Sequence, residues 1–217
     1  MHRLLLLRHG VTEHTVHRLS GWLPGLHLTD DGRAQARALA ARLREVPLDA
    51  LYASPLERCQ ETAAEIAGPR GLKLRTLEEV GEVRYGRWTG RELKELAGED
   101  LWKLLRAAPS QVRFPDGETL YEVQVRTVTA IERLRLEHPR HTVAVCTHAD
   151  VIKVAVAHYL GVPLDLYQRL TVAPASVTAL GFGLVPHLMR LNDTGGSGDL
   201  APEPTEAPEQ EPGDAQP

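Results

Sequence analysis

"LLLLRHGVTEH", residues 4–14, places Arg8 and His9 directly after four consecutive leucines. A short, continuous apolar run of this kind predicts a strand that is buried on both faces of a sheet. Arg8 and His9 then lie at the carboxyl end of that strand, where open α/β sheets bind their ligands. This segment alone leaves two interpretations open: a solvated strand end, or one half of an anion-binding site.

The rest of the chain predicts the sheet to which this strand belongs. Apolar strand-like segments alternate with helix-like segments, which favours an α/β fold, a three-layer sandwich with a mostly parallel central sheet flanked by helices. Strands are predicted at 3–8, 48–54, 71–77, 141–148, 176–182 and 186–192, the last two near a sheet edge. Helices are predicted at 29–46, 54–68, 118–137 and 149–161, with Ser54 as the N-cap of the second.

Charge is distributed unevenly along the 217 residues, whose formal net charge is -4. Seven of the 29 acidic residues lie from Asp193 onward, where there is no Lys or Arg, so the preceding part has 25 basic and 22 acidic residues. This mild excess suits a small anionic substrate and is too weak and scattered for nucleic acid. We therefore predict one domain at 1–192 and a disordered, acidic, Pro-rich tail at 193–217.

Short apolar runs and few cysteines exclude other classes of protein. The run Leu4–Leu7 is too short for a signal-peptide core or a membrane span, and no other stretch comes closer. Cys59 and Cys146, the only cysteines, offer neither a disulfide framework nor a paired metal-ligand spacing. We expect a cytoplasmic protein without a membrane partner.

Polar side chains follow several predicted strands. Arg8 and His9 follow the first, Arg58 opens the helix after the second, and His148 follows the strand "TVAVCT". Glu82 lies in the Gly-rich loop "GEVRYGRWTG". Because parallel strands end at one edge of the sheet, we expect these side chains to meet in one pocket.

That set of side chains is suited to phosphoryl chemistry. Guanidinium groups match phosphate oxygens and stay charged. A neutral imidazole is a nucleophile, a second one can stabilise the transition state, and a carboxylic acid can protonate a leaving alkoxide. The arginines and imidazoles supply the positive charge that Mg²⁺ supplies elsewhere, so no metal is needed.

Four spaced elements, "LRHGVTE", Arg58 in "SPLERCQETA", "GEVRYGRWTG" and "THADVIK", resemble the histidine phosphatase superfamily, which includes cofactor-dependent phosphoglycerate mutases and related phosphatases. The resemblance covers most of residues 3–191 and implies a phosphoglycerate mutase-like fold. It implies that His9 forms a phosphohistidine and that Glu82 is the general acid, with no metal and no cofactor of its own. It also implies that Arg8, Arg58 and His148 hold the phosphoryl group, with Gly10 letting the backbone turn close to it.

The chain departs from the family pattern at three places. Thr15 stands where members usually have Asn, so a hydroxyl replaces an amide donor. The segment "LSGWLPGLHLTDDG" is one residue longer than usual, which changes the substrate wall beyond Gly21. Ala149 and Asp150 replace the usual small residues after the second His, and the extra carboxylate is placed to hydrogen-bond His148 or to repel an anionic substrate.

Three functions are compatible with these residues. The first is metal-independent hydrolysis of a small phosphate monoester through a phosphohistidine on His9. The second is a phosphoglycerate-type phosphomutase, which the lack of a long insertion between Glu82 and the helix near Glu118 disfavours. The third is a regulatory protein that binds a phospholigand, which would need only the arginines. We expect a small phosphorylated metabolite as the partner, whose identity the sequence does not specify, as it does not specify the oligomeric state.

Overall fold

Alternate leucines of β1 (Arg3–Arg8) pack on opposite faces of the central sheet. Leu4 and Leu6 belong to one buried apolar cluster, whereas Leu5 and Leu7 belong to a second cluster on the other face. Successive side chains of a strand point to opposite faces, so a strand covered on both sides has to be apolar throughout. This explains why the run of four leucines is uninterrupted.

The computed structural model describes residues 3–196, which form a six-stranded sheet with the strand order β3-β2-β4-β1-β5-β6. The first four strands in this order pair in parallel, and β5 and β6 are antiparallel additions at one edge. The other strands are β2 (Ala50–Ala53), β3 (Leu74–Thr76), β4 (Thr142–Thr147), β5 (Val177–Phe182) and β6 (Pro186–Asp193). The predicted three-layer α/β sandwich with a mostly parallel sheet is confirmed.

Helices cover both faces of the sheet. The helices are α1 (Asp30–Leu43), α2 (Glu57–Ala67), α3 (Leu93–Leu96), α4 (Asp100–Ala107), α5 (Leu120–Glu137) and α6 (Ala149–Leu160). Residues of α1 and α2 contribute to the cluster with Leu5 and Leu7, and residues of α5 and α6 to the cluster with Leu4 and Leu6. Helix α5 begins with a capping box between Thr119 and Glu122. Among residues 3–196, no helix has the length and apolar character needed to span a bilayer.

The predicted N-cap at Ser54 is wrong, because α2 begins only at Glu57 after a cap residue, Leu56, that makes no side-chain cap bond. Ser54 Oγ lies 2.8 Å from His148 Nε2 and accepts from Leu56 N at 3.3 Å. The serine hydroxyl therefore joins the loop after β2 to the second histidine. Sequence capping rules describe only local contacts and do not include this long-range partner.

The described chain extends slightly past the predicted boundary at residue 192. Asp193 is the last residue of β6, and its carboxylate accepts from Arg42 Nη2 at 2.7 Å. The predicted tail from residue 197 onward lies outside the described residues.

Ending the chain after Gly196 is expected to leave both the melting temperature and the turnover number unchanged. All of the contacts described above lie within residues 3–196, and the removed segment is Pro- and Glu-rich with little apolar surface. Thermal unfolding and turnover of the two chain lengths provide the measurement. A fall of several degrees in the truncated chain would contradict the prediction.

Candidate active site

The predicted site residues meet at the carboxyl ends of β1, β2 and β4, around a small cavity. Its volume is about 140 Å³, and six predicted residues line it: Arg8, His9, Thr15, Arg58, Glu82 and Ala149. Gly10, Gly21 and His148 are not part of the lining. A larger cavity of about 670 Å³, between α1 and the β5–β6 edge, contains none of these side chains. The topology thus gathers residues that are up to 141 positions apart in the chain.

The His9 ring is held in one tautomer by the neighbouring backbone. His9 Nδ1 lies 2.7 Å from the carbonyl oxygen of Gly10, which only accepts hydrogen bonds, so Nδ1 carries the proton and Nε2 the lone pair. Burial, and then the charges of Arg58 and Arg8, holds the pKa of His9 well below its usual range. His9 is therefore a neutral imidazole at neutral pH, with a free lone pair on Nε2.

Two arginines bring positive charge and unused donors to the same place. Arg8 Nη1 donates to the Val172 carbonyl at 2.6 Å, and Arg58 Nη2 donates to the Gly21 carbonyl at 2.9 Å. Arg8 Nε, Arg58 Nε and Arg58 Nη1 are buried and have no hydrogen-bond partner among the described residues. Buried donors without a partner are costly, and an oxyanion satisfies several at once. The two guanidinium groups are thus suited to a phosphoryl group.

His148 is fully buried behind the cavity wall, at the end of β4. Its ring packs edge-on against His9, with 5.2 Å between the ring centroids. Its Nδ1 lies 3.4 Å from Arg58 Nη2 and 3.6 Å from Glu82 Oε2. Burial, followed by the charge of Arg58, keeps the pKa of His148 well below its usual range. His148 thus contacts His9, Arg58 and Glu82.

Glu82 is a carboxyl group with an unusually high proton affinity. Its side chain is 12% exposed, and its Oε1 accepts from Val83 N at 2.9 Å. Burial, and then the negative charge of Asp150, raises the pKa of Glu82 to about 7 against the opposing charges of Arg58 and Arg8. A large fraction of Glu82 is therefore protonated at neutral pH, as a general acid has to be.

Asp150 lines the cavity on the first turn of α6, and its partners differ from the one considered in the sequence. Tyr85 Oη donates to Asp150 Oδ2 at 2.9 Å, and Lys153 Nζ lies 3.5 Å from Oδ1. A hydrogen bond to His148 is not formed, because the imidazole is directed toward Ser54 instead. The extra carboxylate therefore acts on the site through its charge, by raising the pKa of Glu82.

The glycines and Thr15 shape the backbone around the cavity. A Cβ at Gly10 would lie 2.5 Å from the Gly32 carbonyl oxygen, so the glycine permits the two backbones to approach each other closely. Gly21 has φ +50° and presents its carbonyl to Arg58. Thr15 Oγ1 accepts from Thr12 N at 2.9 Å and closes the turn that follows His9.

Several residues near the site escaped the sequence analysis. The Tyr85 hydroxyl donates to Asp150 Oδ2, and Ser20 lines the cavity. Arg126 and Trp22 both donate to the Glu82 carbonyl, at 2.9 and 2.6 Å. No local signal marks Arg126, because an arginine on an amphipathic helix has the pattern of any solvated residue.

Comparison with known proteins identifies the family and the fold to which this chain is similar. The family model of the histidine phosphatase superfamily (branch 1) matches residues 4–194. Phosphoserine phosphatase 1 of Hydrogenobacter thermophilus is 33% identical over 184 residues, which cover 83% of this chain and 86% of the relative. Probable phosphoglycerate mutase GpmB of Enterobacter sp. is 29% identical over 191 residues, 87% of this chain and 88% of the relative. The solved structure of Bacillus stearothermophilus YhfR matches with a TM-score of 0.83 and 31% identity, covering 88% of this chain and 96% of that one.

These matches extend over the same residues that form the sheet and the cavity. The family match begins in β1 and ends one residue after β6. The fold agrees with the resemblance seen in the sequence. The chain belongs to the histidine phosphatase superfamily and is an enzyme of the phosphatase and phosphoglycerate mutase-like group.

Proposed function

We propose that the protein hydrolyses a small phosphate monoester in two steps through a phosphohistidine on His9. In the first step His9 Nε2 attacks phosphorus, the ester P–O bond breaks, and the leaving alkoxide takes the proton of Glu82. In the second step the Glu82 carboxylate takes a proton from water, whose oxygen attacks phosphorus and breaks the P–N bond. Inorganic phosphate leaves, and His9 and Glu82 return to their starting states.

Arg8, Arg58 and His148 hold the phosphoryl oxygens in this proposal. The unpartnered guanidinium donors support the roles of the arginines, and the edge-on contact with His9 supports the role of His148. Charge builds up on the equatorial oxygens during transfer, and preorganised donors in a buried site stabilise it. One observation carries the proposal: a neutral imidazole with its lone pair on Nε2 shares a cavity with two such arginines.

A small phosphorylated metabolite fits the dimensions of the site. The cavity of about 140 Å³ corresponds to the liquid volume of about five water molecules, enough for a phosphoryl group and a few further atoms. Thr15 and Ala149 line it together with the catalytic candidates and are proposed to contact the ester. The rest of a larger substrate would lie toward His14 and Arg18, which also line the cavity.

Turnover of p-nitrophenyl phosphate in the presence of EDTA tests the proposal against a protein that only binds phospholigands. We expect inorganic phosphate to be released at an undiminished rate in EDTA, because the positive charge comes from side chains. Supplying 3-phosphoglycerate as acceptor separates hydrolysis from mutase activity, which the match to a probable mutase brings into question. Binding of phosphate monoesters without turnover would reject the enzymatic proposal.

The pH dependence of phosphoenzyme formation is expected to follow Glu82. With alkyl phosphates the rate should fall as the pH rises above about 7, because the raised pKa of Glu82 marks where its proton is lost. On the acid side, protonation of His9 should not lower the rate as the pH decreases through 6.5. The lowered pKa of His9 keeps its imidazole neutral well below that pH. Rapid-quench measurement of the first turnover between pH 5 and 9 provides the test.

A further inference from the structure

The backbone that carries Glu82 is held by one arginine from the neighbouring helix α5. Arg126 Nη1 donates to the carbonyl oxygens of Glu79 and Gly81, at 2.5 and 2.9 Å. Arg126 Nη2 donates to the Glu82 carbonyl at 2.9 Å. Its Nη2 and Nε also donate to the two carboxylate oxygens of Glu118, at 3.0 and 2.9 Å. These five bonds equal the five N–H donors of a guanidinium, so Arg126 is fully used in holding this loop.

The charge of Arg126 is balanced at the same place. Glu118 forms a bidentate ion pair with it, and the two side chains are 15% and 19% exposed. Glu118 Oε2 also accepts from Arg84 N at 2.9 Å, two residues beyond Glu82. The loop is therefore bound on either side of Glu82 by one ion pair, through Arg126 at residues 79–82 and through Glu118 at Arg84.

Two further contacts limit the directions in which this loop can move. Trp22 Nε1 donates to the same Glu82 carbonyl at 2.6 Å, and its ring lies against Gly81, where a Cβ would come within 2.2 Å of it. Thr147 Oγ1 donates to the Val80 carbonyl at 2.5 Å from the end of β4. Trp22 and Thr147 each hydrogen-bond one carbonyl of the loop, whereas Arg126 hydrogen-bonds three carbonyls at once.

We propose that Arg126 is a positioning residue that holds the Glu82 carboxyl group at the distance from the ester oxygen that proton transfer requires. The proposal rests on the proposed function, in which Glu82 is the general acid. Arg126 does not line the cavity, and its contacts with the Glu82 loop are to the backbone of residues 79–82. Catalytic groups lose activity steeply with displacement, since an error of about 1 Å costs on the order of 10²-fold. Lysine cannot replace Arg126, because one ammonium group cannot span three carbonyls and a carboxylate.

Arg126→Lys and Arg126→Met test this with substrates that differ in leaving group. For an alkyl phosphate, whose alkoxide needs a proton, we expect kcat to fall about 10- to 100-fold with little change in KM. For p-nitrophenyl phosphate, which needs no proton, the fall should be a few-fold at most. Arg133→Met is the matched control, because Arg133 lies on the same helix but pairs with the side chains of Glu79 and Glu137, at 2.8 and 3.7 Å, and not with the loop backbone. We expect that control to behave as the wild type with both substrates.

A double-mutant cycle with Glu82→Gln separates the positioning role from a general structural one. If Arg126 acts through Glu82, Arg126→Lys causes no further loss of alkyl phosphate turnover once Glu82 is replaced. Equal losses on both substrates, or a full additional loss in the double variant, would overturn the proposal. Should Glu82→Gln itself lack leaving-group dependence, the general acid is assigned wrongly and the proposed function fails first. If the Arg126 variants are unfolded at the assay temperature, Trp22→Phe is measured instead. This variant has to lower kcat more for the alkyl phosphate than for p-nitrophenyl phosphate, by a smaller factor than expected for Arg126. Equal effects on both substrates in Trp22→Phe would reject the proposal.

Discussion

Replacing His9 by alanine is expected to lower kcat for every phosphate monoester by at least ~10⁴-fold, the size of loss seen when an enzyme loses its nucleophile. The Nε2 lone pair is the only proposed acceptor of the phosphoryl group, and no water in the same cavity replaces it efficiently. The fold should be retained, because the one side-chain hydrogen bond lost is that of Nδ1 to the adjacent Gly10 carbonyl. Rapid-quench kinetics and thermal unfolding measure the two effects.

Trapping the intermediate makes this prediction independent of turnover. Phosphate that is labile in acid and stable in base should be recovered on the wild type during turnover and be absent from His9→Ala. His17→Ala is a suitable control, since His17 is exposed in the same segment and does not line the cavity. Retention of a large part of kcat in His9→Ala would remove His9 from its proposed role.

Replacing Glu82 by glutamine is expected to slow alkyl phosphate hydrolysis by on the order of 10²-fold or more relative to p-nitrophenyl phosphate. The alkoxide of an alkyl ester is a poor leaving group and has to be protonated in the transition state, whereas nitrophenolate leaves without a proton. Glutamine keeps the size of the side chain and its contact with Val83 N but cannot transfer a proton. Comparing kcat/KM for the two substrates gives the ratio directly.

Glu79→Gln is the matched control for this variant. Glu79 lies three residues earlier in the chain, and its carboxylate pairs with Arg133 rather than with a cavity residue. We expect both substrates to be hydrolysed at wild-type rates. A leaving-group effect at Glu79 in place of Glu82 would mean that the motif is aligned to the wrong glutamate, and equal losses at Glu82 would indicate a role in pocket charge alone.

The large effect expected at Glu82 depends on a charge balance that was not visible in the motif. Asp150 stands in a family position usually taken by a small residue, and its charge helps to raise the pKa of Glu82 to about 7. Tyr85 Oη and Lys153 fix this carboxylate beside the cavity. Asp150, a departure from the family pattern, thus favours the protonated form of the Glu82 carboxyl group at neutral pH.

The sequence by itself determined the layers of the fold and the edge at which the site lies. Continuous apolar runs such as Leu4–Leu7 require burial on both faces, and this requirement places helices on both sides of a mostly parallel sheet. The chain leaves the core at the ends of the strands, so polar residues that come after a strand are predicted to lie at one edge of the sheet. These residues are Arg8, His9, Arg58 and His148. The type of a residue and its position after a strand are local properties of the chain, so both can be predicted from the sequence.

Only the tertiary structure decided how those groups are tuned and held. The contact between Ser54 and His148 and the bonds of Arg126 to the Glu82 loop join segments that have no fixed spacing in the chain. The tautomer of His9 depends on how its ring is turned toward the adjacent Gly10 carbonyl. Ser54 is an example. The residues around it have the pattern of a helix N-cap, whereas its hydroxyl contacts a histidine 94 residues away. Hydrogen bonds and pKa shifts depend on distance and burial in space, and these quantities exist only once the chain has folded.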